Sequence, residues 1–193
     1  MPWKKEHKSQ TRGRILEAAS AAIREKGVAG VGVAEMMEAA GLTHGGFYAH
    51  FKSKDDLVAQ AFAFASEQSG ERLQLAADRA PPDERLRAVA DAYLSASHAQ
   101  HPERGCPIAS VGPDLVRQEG AGRDACADVV RDRLAWLESL TTSGSKDERR
   151  RTAAGVYAAM LGGIFIARAL GEEDGEKYLA QVRRFVRDVV DQD

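Results

Sequence analysis

Cysteine, proline and aromatic residues are scarce in this sequence of 193 residues. It contains two cysteines, six prolines and 6% aromatic residues, whereas 44% of the residues are hydrophobic and 29% are charged. Two cysteines are too few for a disulfide-rich secreted scaffold, and the hydrophobic fraction excludes a wholly disordered chain. Few aromatics together with repeated alanine pairs are typical of packed helices, so we expect an all-α protein.

No uncharged apolar run is long enough to cross a membrane. The longest, residues 153–167, has 15 residues and ends before Arg168, whereas a membrane helix needs about 20. The N-terminus is basic, but no apolar signal core follows it. The sequence therefore predicts a cytoplasmic protein without a membrane partner, in which this run forms a buried helix.

Motifs for catalysis, cofactors and metals are also missing. Ser143 and Lys146 match a Ser-x-x-Lys nucleophile pattern, but the motifs that accompany it are absent. Residues 30–32 lack the third glycine of a dinucleotide-binding fingerprint. His98 and His101 are three residues apart, but the cysteines share no zinc-binding spacing with them. We predict no enzyme activity, no cofactor and no metal.

Charge is distributed unevenly, although the formal net charge is only −2. Residues 1–54 contain nine Lys and Arg against five Asp and Glu, whereas residues 55–193 contain eighteen against twenty-four. A polyanion is attracted to the basic part and repelled by the acidic remainder. Any nucleic acid is therefore expected to contact the N-terminal quarter of the chain.

The hydrophobic spacing predicts three N-terminal helices and a long fourth one. The first covers about 10–26, a short second one ends at Gly41, and the third runs from Thr43 to His50. Two helices joined by a tight glycine-containing turn within about 18 residues have the outline of a helix-turn-helix. Ser53 is expected to cap the fourth helix, over about 54–77.

Further helices follow a clear break at residues 80–83. Their apolar patterns place them at about 83–100, 108–118, 122–140, 146–170 and 173–190. We therefore predict an N-terminal three-helix helix-turn-helix domain, residues 1–52, which the long fourth helix links to a C-terminal bundle of about five helices. Residues 53–193 are expected to bind an effector and to dimerise.

The predicted third helix has a composition that favours DNA contact. It is slim because of its glycines, and the side chains at its start offer donors and acceptors to base edges in the major groove. A tyrosine hydroxyl and two lysines after it match phosphate oxygens. The predicted DNA-binding residues are Thr43, His44, Gly45, Tyr48, His50, Lys52 and Lys54.

Two alternatives apply to this segment. His50 at a helix end also complements the helix dipole, and the whole segment could be a solvated helix pair without DNA. Phe47 and Phe51, four residues apart, are expected to face inward and to hold the third helix on the first two.

Residues 26–62, including the stretch from Ala39 to Leu57, resemble the DNA-binding domain of TetR-type transcriptional regulators. The resemblance is close over about 10–62, and the later helices agree with the family only in number and length. It implies a homodimeric DNA-binding protein, usually a repressor, that a small molecule releases. One departure is Gly32, where the family often has Thr or Ser as a helix cap.

The C-terminal part contains candidate effector and dimer contacts. Tyr93, Trp136, Met160 and Phe165 are candidates to line an apolar effector cavity, although such residues are also ordinary core. The apolar run and the striped last helix within residues 146–190 predict a two-fold dimer. A two-fold dimer binds a near-palindromic operator in double-stranded DNA.

Cys106 precedes Pro107 at the predicted start of a helix. Proline biases the preceding residue towards an extended conformation, and the helix dipole favours a thiolate there. Cys106 is therefore a candidate redox or electrophile sensor, with a buried, inert thiol as the alternative. For the whole chain, a ligand-binding helical dimer without DNA binding is the other alternative.

Overall fold

The computed structural model describes residues 2–191, with side chains from residue 6 onward, and every regular element in this part is a helix. This confirms the all-α prediction. The α-helices are α1 (Pro2–Lys26), α2 (Val33–Ala39), α3 (Lys54–Asp78), α4 (Arg85–Tyr93), α5 (Ala96–Gln100), α6 (Pro107–Val116), α7 (Ala121–Leu140), α8 (Lys146–Leu170) and α9 (Glu172–Val190). Short 3₁₀ helices cover His44–Ala49, Pro82–Glu84 and Pro102–Arg104.

The predicted third helix is a 3₁₀ helix, His44–Ala49, rather than an α-helix. Its ends are closed by tight bonds three residues apart, from the Gly46 N–H to the Thr43 carbonyl at 3.1 Å and from the His50 N–H to the Phe47 carbonyl at 2.9 Å. Two adjacent glycines lower the α-helical propensity of this segment, and a tight 3₁₀ turn is common in such short pieces.

The prediction of one helix over 83–100 is wrong, because the structure has two helices there, α4 and α5. Leu94 leaves the helical region with φ −80° and ψ 43°. The Ser95 hydroxyl then accepts a hydrogen bond from the His98 N–H at 3.3 Å and begins α5 as its N-cap.

The described residues form two compact units. The first comprises residues up to 67 and 102–127, and the second comprises residues 68–101 and 128 onward. The long helix α3 belongs to the first unit up to Glu67 and to the second from Gln68. The proposed division by function at residues 52/53 lies inside the first unit and stays a prediction.

The core of the first unit is formed by buried side chains of α1, α2, the 44–49 helix, α3 and α6. One face of α1 carries Ile15, Ala19 and Ile23, which are four residues apart. These three side chains are fully buried, as the sequence pattern predicts. Phe47 and Phe51 are buried as well, which confirms that they face inward. Burying an apolar side chain of this size contributes about 1.5–3 kcal/mol. The largest fully buried members of this core are Ile15, Ile23, Met36, Met37, Phe47, Leu57, Phe62 and Leu115.

The C-terminal end of α1 is tied to α6 within the first unit. Gly27 ends α1 with a positive φ of 76°, and the following Val28 N–H donates to Asp114 Oδ2 at 3.2 Å. The buried Arg24 guanidinium donates to the Gly105 carbonyl at 2.9 Å. Residues 102–116 are therefore fixed to α1, the helix that packs against α2.

The second unit is built around the α8 and α9 pair. A Cβ added at Gly163 of α8 would lie 2.6 Å from Leu94 Cδ2, so this glycine lets α8 approach the end of α4 closely. One at Gly175 of α9 would lie 2.4 Å from the Ala167 carbonyl oxygen. By length and composition alone α8 could cross a membrane, but one of its faces is buried inside this unit.

Candidate nucleic-acid interface

The 44–49 helix has a buried side and an open side. Phe47 is buried and a Cβ at Gly46 would lie 3.7 Å from Met37 Cε, so this side faces α2. On the other side Tyr48 is 72% exposed, and a Cβ at Gly45 would have no described atom within 4 Å. Thr43 and His44 are exposed next to them. We call Thr43, His44, Gly45 and Tyr48 the outer face.

Aromatic contacts hold the outer face on the core. The rings of Phe47 and Tyr48 meet edge-on with centroids 5.1 Å apart, and those of Phe47 and Phe51 stack at 5.9 Å. His44 in turn lies edge-on to Tyr48 at 6.5 Å. Such pairs contribute about 0.5–1.5 kcal/mol beyond area burial, so the exposed tyrosine is held by ring packing on one side.

Two lysines follow the outer face at the start of α3. Lys52 is exposed and Lys54, the first residue of α3, is half-buried. The Lys52 N–H donates to Asp56 Oδ2 at 2.9 Å, which is the main reason why the pKa of Asp56 is lowered. The Asp56 N–H donates to Ser53 Oγ at 3.1 Å, as predicted for a helix cap.

His50 differs from the other predicted contacts because its ring is half-buried. No described group makes a hydrogen bond with its buried Nδ1. Burial, followed by the charges of Lys8 and Arg12, lowers the pKa of His50, so its imidazole is neutral at pH 7.

Lys8 and Arg12 of α1 are functional candidates that the sequence reasoning missed. They are four residues apart and hence share a helix face, which was the available signal. Arg12 Nη1 donates to the His50 carbonyl oxygen at 2.5 Å, and its guanidinium lies 4.4 Å from the centroid of the Phe51 ring. The basic surface around the outer face is therefore extended by α1.

Comparison with known proteins gives this arrangement a context. Residues 15–61 match the model for bacterial regulatory proteins of the tetR family, and residues 82–186 match the model for the Tetracyclin repressor-like C-terminal domain. The second match alone covers more than half of the chain. The chain belongs to the TetR family of transcriptional regulators.

Individual relatives agree with this assignment. The HTH-type transcriptional regulator CymR of Pseudomonas putida is 26% identical over 183 residues, which cover 90% of this chain and 86% of CymR. TtgR, another HTH-type transcriptional regulator from a strain of Pseudomonas putida, is 44% identical over 54 residues, 28% of this chain and 26% of TtgR.

Solved structures show the same fold. A TetR transcriptional regulator from Chloroflexus aurantiacus J-10-FL has a TM-score of 0.83 at 24% identity and covers 97% of both chains. The reduced form of E. coli NemR has a TM-score of 0.74 at 22% identity, covering 91% of this chain and 96% of NemR. CymR, TtgR and the Chloroflexus protein are transcriptional regulators by name. The absence of enzyme activity, cofactor and metal in this chain stays a prediction.

The four effector-binding candidates of this TetR-family chain differ in their surroundings. Tyr93 and Met160 are buried, and Trp136 Nε1 donates to Gln74 Oε1 at 2.9 Å. Phe165, however, is 65% exposed, so it does not line an enclosed cavity of the single chain. α8 is apolar on more than one face, and only one of these faces is buried in its own unit. The assignment of Phe165 to an effector site stays a prediction.

A surface hollow lies between α8 and α9, and some of its lining residues are close to Phe165 in the sequence. Its volume is about 400 Å³, and Gly162 opens towards it, because a Cβ there would have no described atom within 4 Å. Phe185 on α9 borders it and is 58% exposed. The lining residues are Ala158, Ala159, Gly162, Gly163, Ile166, Tyr178, Gln181, Val182 and Phe185.

Cys106 is the N-cap residue of α6. Its φ of −64° and ψ of 123° are extended, as predicted from Pro107, and its side chain makes no cap hydrogen bond and is buried. Both cysteines lie in the described part of the chain, and neither forms a disulfide. Burial, and next the neighbouring Cys106, raise the pKa of the Cys126 thiol.

Proposed function

We propose that this TetR-family regulator is a homodimeric repressor that binds a near-palindromic operator and leaves it when a small molecule binds. The observation that carries the proposal is the outer face of the 44–49 helix. It is solvent-exposed, it is held in place by two buried phenylalanines, Phe47 and Phe51, and it is followed by Lys52 and Lys54.

Each side chain of this region has a proposed role in the complex. Thr43 and His44 contact base edges, and Gly45 allows close approach to the groove floor. The Tyr48 hydroxyl binds a phosphate oxygen, and Lys52 and Lys54 add the positive charge.

His50 is assigned a supporting role in DNA binding. Its ring is half-buried and neutral. Less of its surface is therefore accessible to a base than in the exposed His44. The positive charge of Lys8 beside it favours a phosphate over a base as its partner.

A two-fold dimer through α8 and α9 is supported by exposed apolar side chains. Phe165, Ile166 and Leu170 of α8 and Phe185 of α9 are exposed, and Ile166 and Phe185 border the same hollow. Large exposed apolar side chains that lie together mark a protein interface. The dimer places two outer faces on one side of DNA, roughly 34–40 Å apart, for two half-sites about one turn or slightly more apart.

The small-molecule effector is assigned to residues 53–193. Tyr93, Met160 and Trp136 are the candidate contacts, since buried or half-buried aromatic and methionine side chains are typical of apolar ligand sites. A partner that is genomic DNA also implies a cytoplasmic location.

A gel-shift titration with the DNA upstream of the protein's own coding sequence tests the proposal. We expect a complex whose affinity falls steeply as salt rises, because phosphate contacts release counterions. Absence of a shift at low salt would contradict it and favour a ligand-binding helical dimer without DNA binding.

A thiol-based switch at Cys106 is a second candidate for the release mechanism. The observation that favours it is the position of Cys106 at the N-terminus of α6, in the unit that also contains the outer face. The Cys106→Ser variant tests it. If this variant still releases DNA on treatment with a quinone or peroxide as the parent does, Cys106 is not the switch.

A further inference from the structure

A chain of hydrogen bonds connects α1, α3 and the backbone behind the outer face. Arg12 Nη1 donates to the His50 carbonyl, and Arg12 Nη2 donates to Gln60 Oε1 in α3. Gln60 Nε2 then donates to Asp56 Oδ1 at 2.7 Å, and Asp56 Oδ2 accepts from the Lys52 N–H at 2.9 Å. We call Arg12, Gln60 and Asp56 the relay.

The relay holds the two residues on either side of Phe51. The carbonyl of His50 and the N–H of Lys52 are both engaged, while the Phe51 ring is buried beneath the Arg12 guanidinium. Three consecutive residues after the 44–49 helix are thereby fixed to two different helices. Hydrogen bonds with a charged donor or acceptor are about twice as strong as neutral ones, and both ends of the relay are charged.

The 44–49 helix has little intrinsic rigidity of its own. It is a six-residue 3₁₀ helix with two glycines, and the Thr43 side chain provides no cap hydrogen bond. Short helices with few internal bonds are marginal without tertiary contacts. Its orientation must therefore be set by its packing and by the contacts at its ends.

We propose that the relay is a positioning device that sets the angle of the outer face for base reading; this inference rests on the proposed function. Base contacts depend on the position and angle of the outer face, because hydrogen bonds to base edges are directional, whereas attraction to phosphates tolerates displacement. Loss of the relay therefore weakens binding to the preferred sequence and leaves non-specific binding nearly unchanged.

Arg12 is a positioning residue rather than a phosphate contact. Both of its Nη atoms donate within the protein, its face lies on Phe51, and the side chain is half-buried. Lys52, in contrast, has an exposed side chain. Arg12 therefore makes no contribution to the salt dependence of DNA binding, while Lys52 does.

The test uses the full chain and a duplex that the wild-type protein enriches from a random-sequence pool, with a scrambled duplex of equal composition beside it. Gln60→Met breaks the relay at its centre with no change of charge and little change of volume. Gln68→Met, two turns further along α3, is the matched control. Arg12→Met breaks the relay from α1, and Arg12→Lys keeps the charge but supplies only one of the two bonds.

We expect Gln60→Met and Arg12→Met each to lower the ratio of specific to scrambled-duplex affinity about tenfold, with the salt slope unchanged. The double variant should lose no more than the larger single loss, since both changes break one relay. Arg12→Lys should lie between, and Gln68→Met should match the wild type. Thermal unfolding confirms that each variant is folded.

Several outcomes would overturn the inference. A folded Gln60→Met or Arg12→Met protein with unchanged discrimination would do so, as would a salt slope that falls by about one in Arg12→Met, which identifies a phosphate contact. Additive losses in the double variant would also contradict the relay. A wild-type chain that enriches no duplex would overturn the proposed function as well, so the two failures are distinguishable.

Discussion

The outer face of the 44–49 helix and the exposed part of α8 and α9 are both at the surface, but their side chains differ in kind. The first offers hydroxyl and imidazole groups, with the ammonium groups of Lys52 and Lys54 after it, and the second offers Phe165, Ile166, Leu170 and Phe185. Polar and basic groups attract a polyanion through solvent, and salt weakens that attraction. Apolar groups gain only by leaving water against another apolar surface. We infer two different partners, DNA for the first and a second copy of the chain for the other.

The strongest way to break this comparison is to place charge on the apolar face. Phe165→Glu combined with Phe185→Glu should weaken self-association about 100-fold or more, because an unpaired charge in an apolar interface costs about 3 kcal/mol. Sedimentation velocity over a concentration series measures this. Leu75→Glu is the matched control, since Leu75 on α3 is 53% exposed and lies outside α8 and α9.

The outcome should not depend on salt. If the double variant is as dimeric as the Leu75→Glu control, or if raising the ionic strength alone separates the wild-type protomers, the apolar face is not the dimer interface.

The second unit should also be more sensitive to acid than the region of the outer face. Burial lowers the pKa of His98 to about 4, with a smaller contribution from the charges of Arg168 and Arg72, although its Nδ1 lies 2.7 Å from the Tyr93 carbonyl. The unfolded chain takes up a proton near pH 6.5 and the folded chain does not. Stability contributed by neutral His98 is thus complete above about pH 6.5 and is lost as the pH falls towards 4.

Between pH 7 and pH 5 this loss should be about 2 kcal/mol in the free energy of unfolding. Urea unfolding at the two pH values measures it, and His98→Gln should remove most of the difference. His50→Gln is the control from the other region, where the ring is only half-buried and the effect is small. An unchanged pH response in His98→Gln would show that another group is responsible.

The features that could be predicted from the sequence are those that depend on neighbouring residues. Phe47 and Phe51 facing inward, the Ser53 cap and the extended Cys106 follow from rules that involve at most four neighbouring residues, and all three are found. Arg12 to His50 and Arg24 to Gly105 join residues 38 and 81 apart. No local pattern specifies which backbone carbonyl a long arginine side chain reaches.

Phe165 illustrates a different limit. The apolar spacing of α8 places apolar residues on two faces of the helix. Hydrophobicity alone does not distinguish a residue that packs inside its own unit from one that packs against a partner chain. Gly162 and Gly163 are adjacent in the sequence, yet one faces open space and the other contacts Leu94. Only the packing of the other helices distinguishes them.

Removing charge from the DNA-facing region should have a moderate effect. Lys52→Ala and Lys54→Ala should each weaken DNA binding about five- to tenfold near physiological salt, for all sequences alike, and should each reduce the salt slope by about one. Fluorescence anisotropy at several salt concentrations measures both quantities. Lys146→Ala, an exposed lysine in the second unit, is the control. An unchanged slope in Lys54→Ala would remove that residue from the interface.

The smallest expected effect comes from Gly32, the N-cap of α2. Its φ of −92° and ψ of 159° are extended, and a Cβ there would have no described atom within 4 Å. Gly32→Ser should therefore fit without strain and supply a hydroxyl that accepts a bond from the first turn. The expected gain is a few tenths of a kcal/mol in the free energy of unfolding, measured by urea titration.

Gly41→Ser is the contrasting control, because it is the same substitution at a glycine with a different backbone conformation. Gly41 has a φ of 69°, and a Cβ there would lie 2.9 Å from Arg14 Nη2, so the same change should destabilise the fold by about 1 kcal/mol or more. If Gly32→Ser also destabilises the fold, the missing side-chain cap of α2 does not limit the stability of the protein. If it stabilises the fold and also tightens DNA binding with a steeper salt slope, the new hydroxyl reaches a phosphate, and the basic region around the outer face extends to the start of α2.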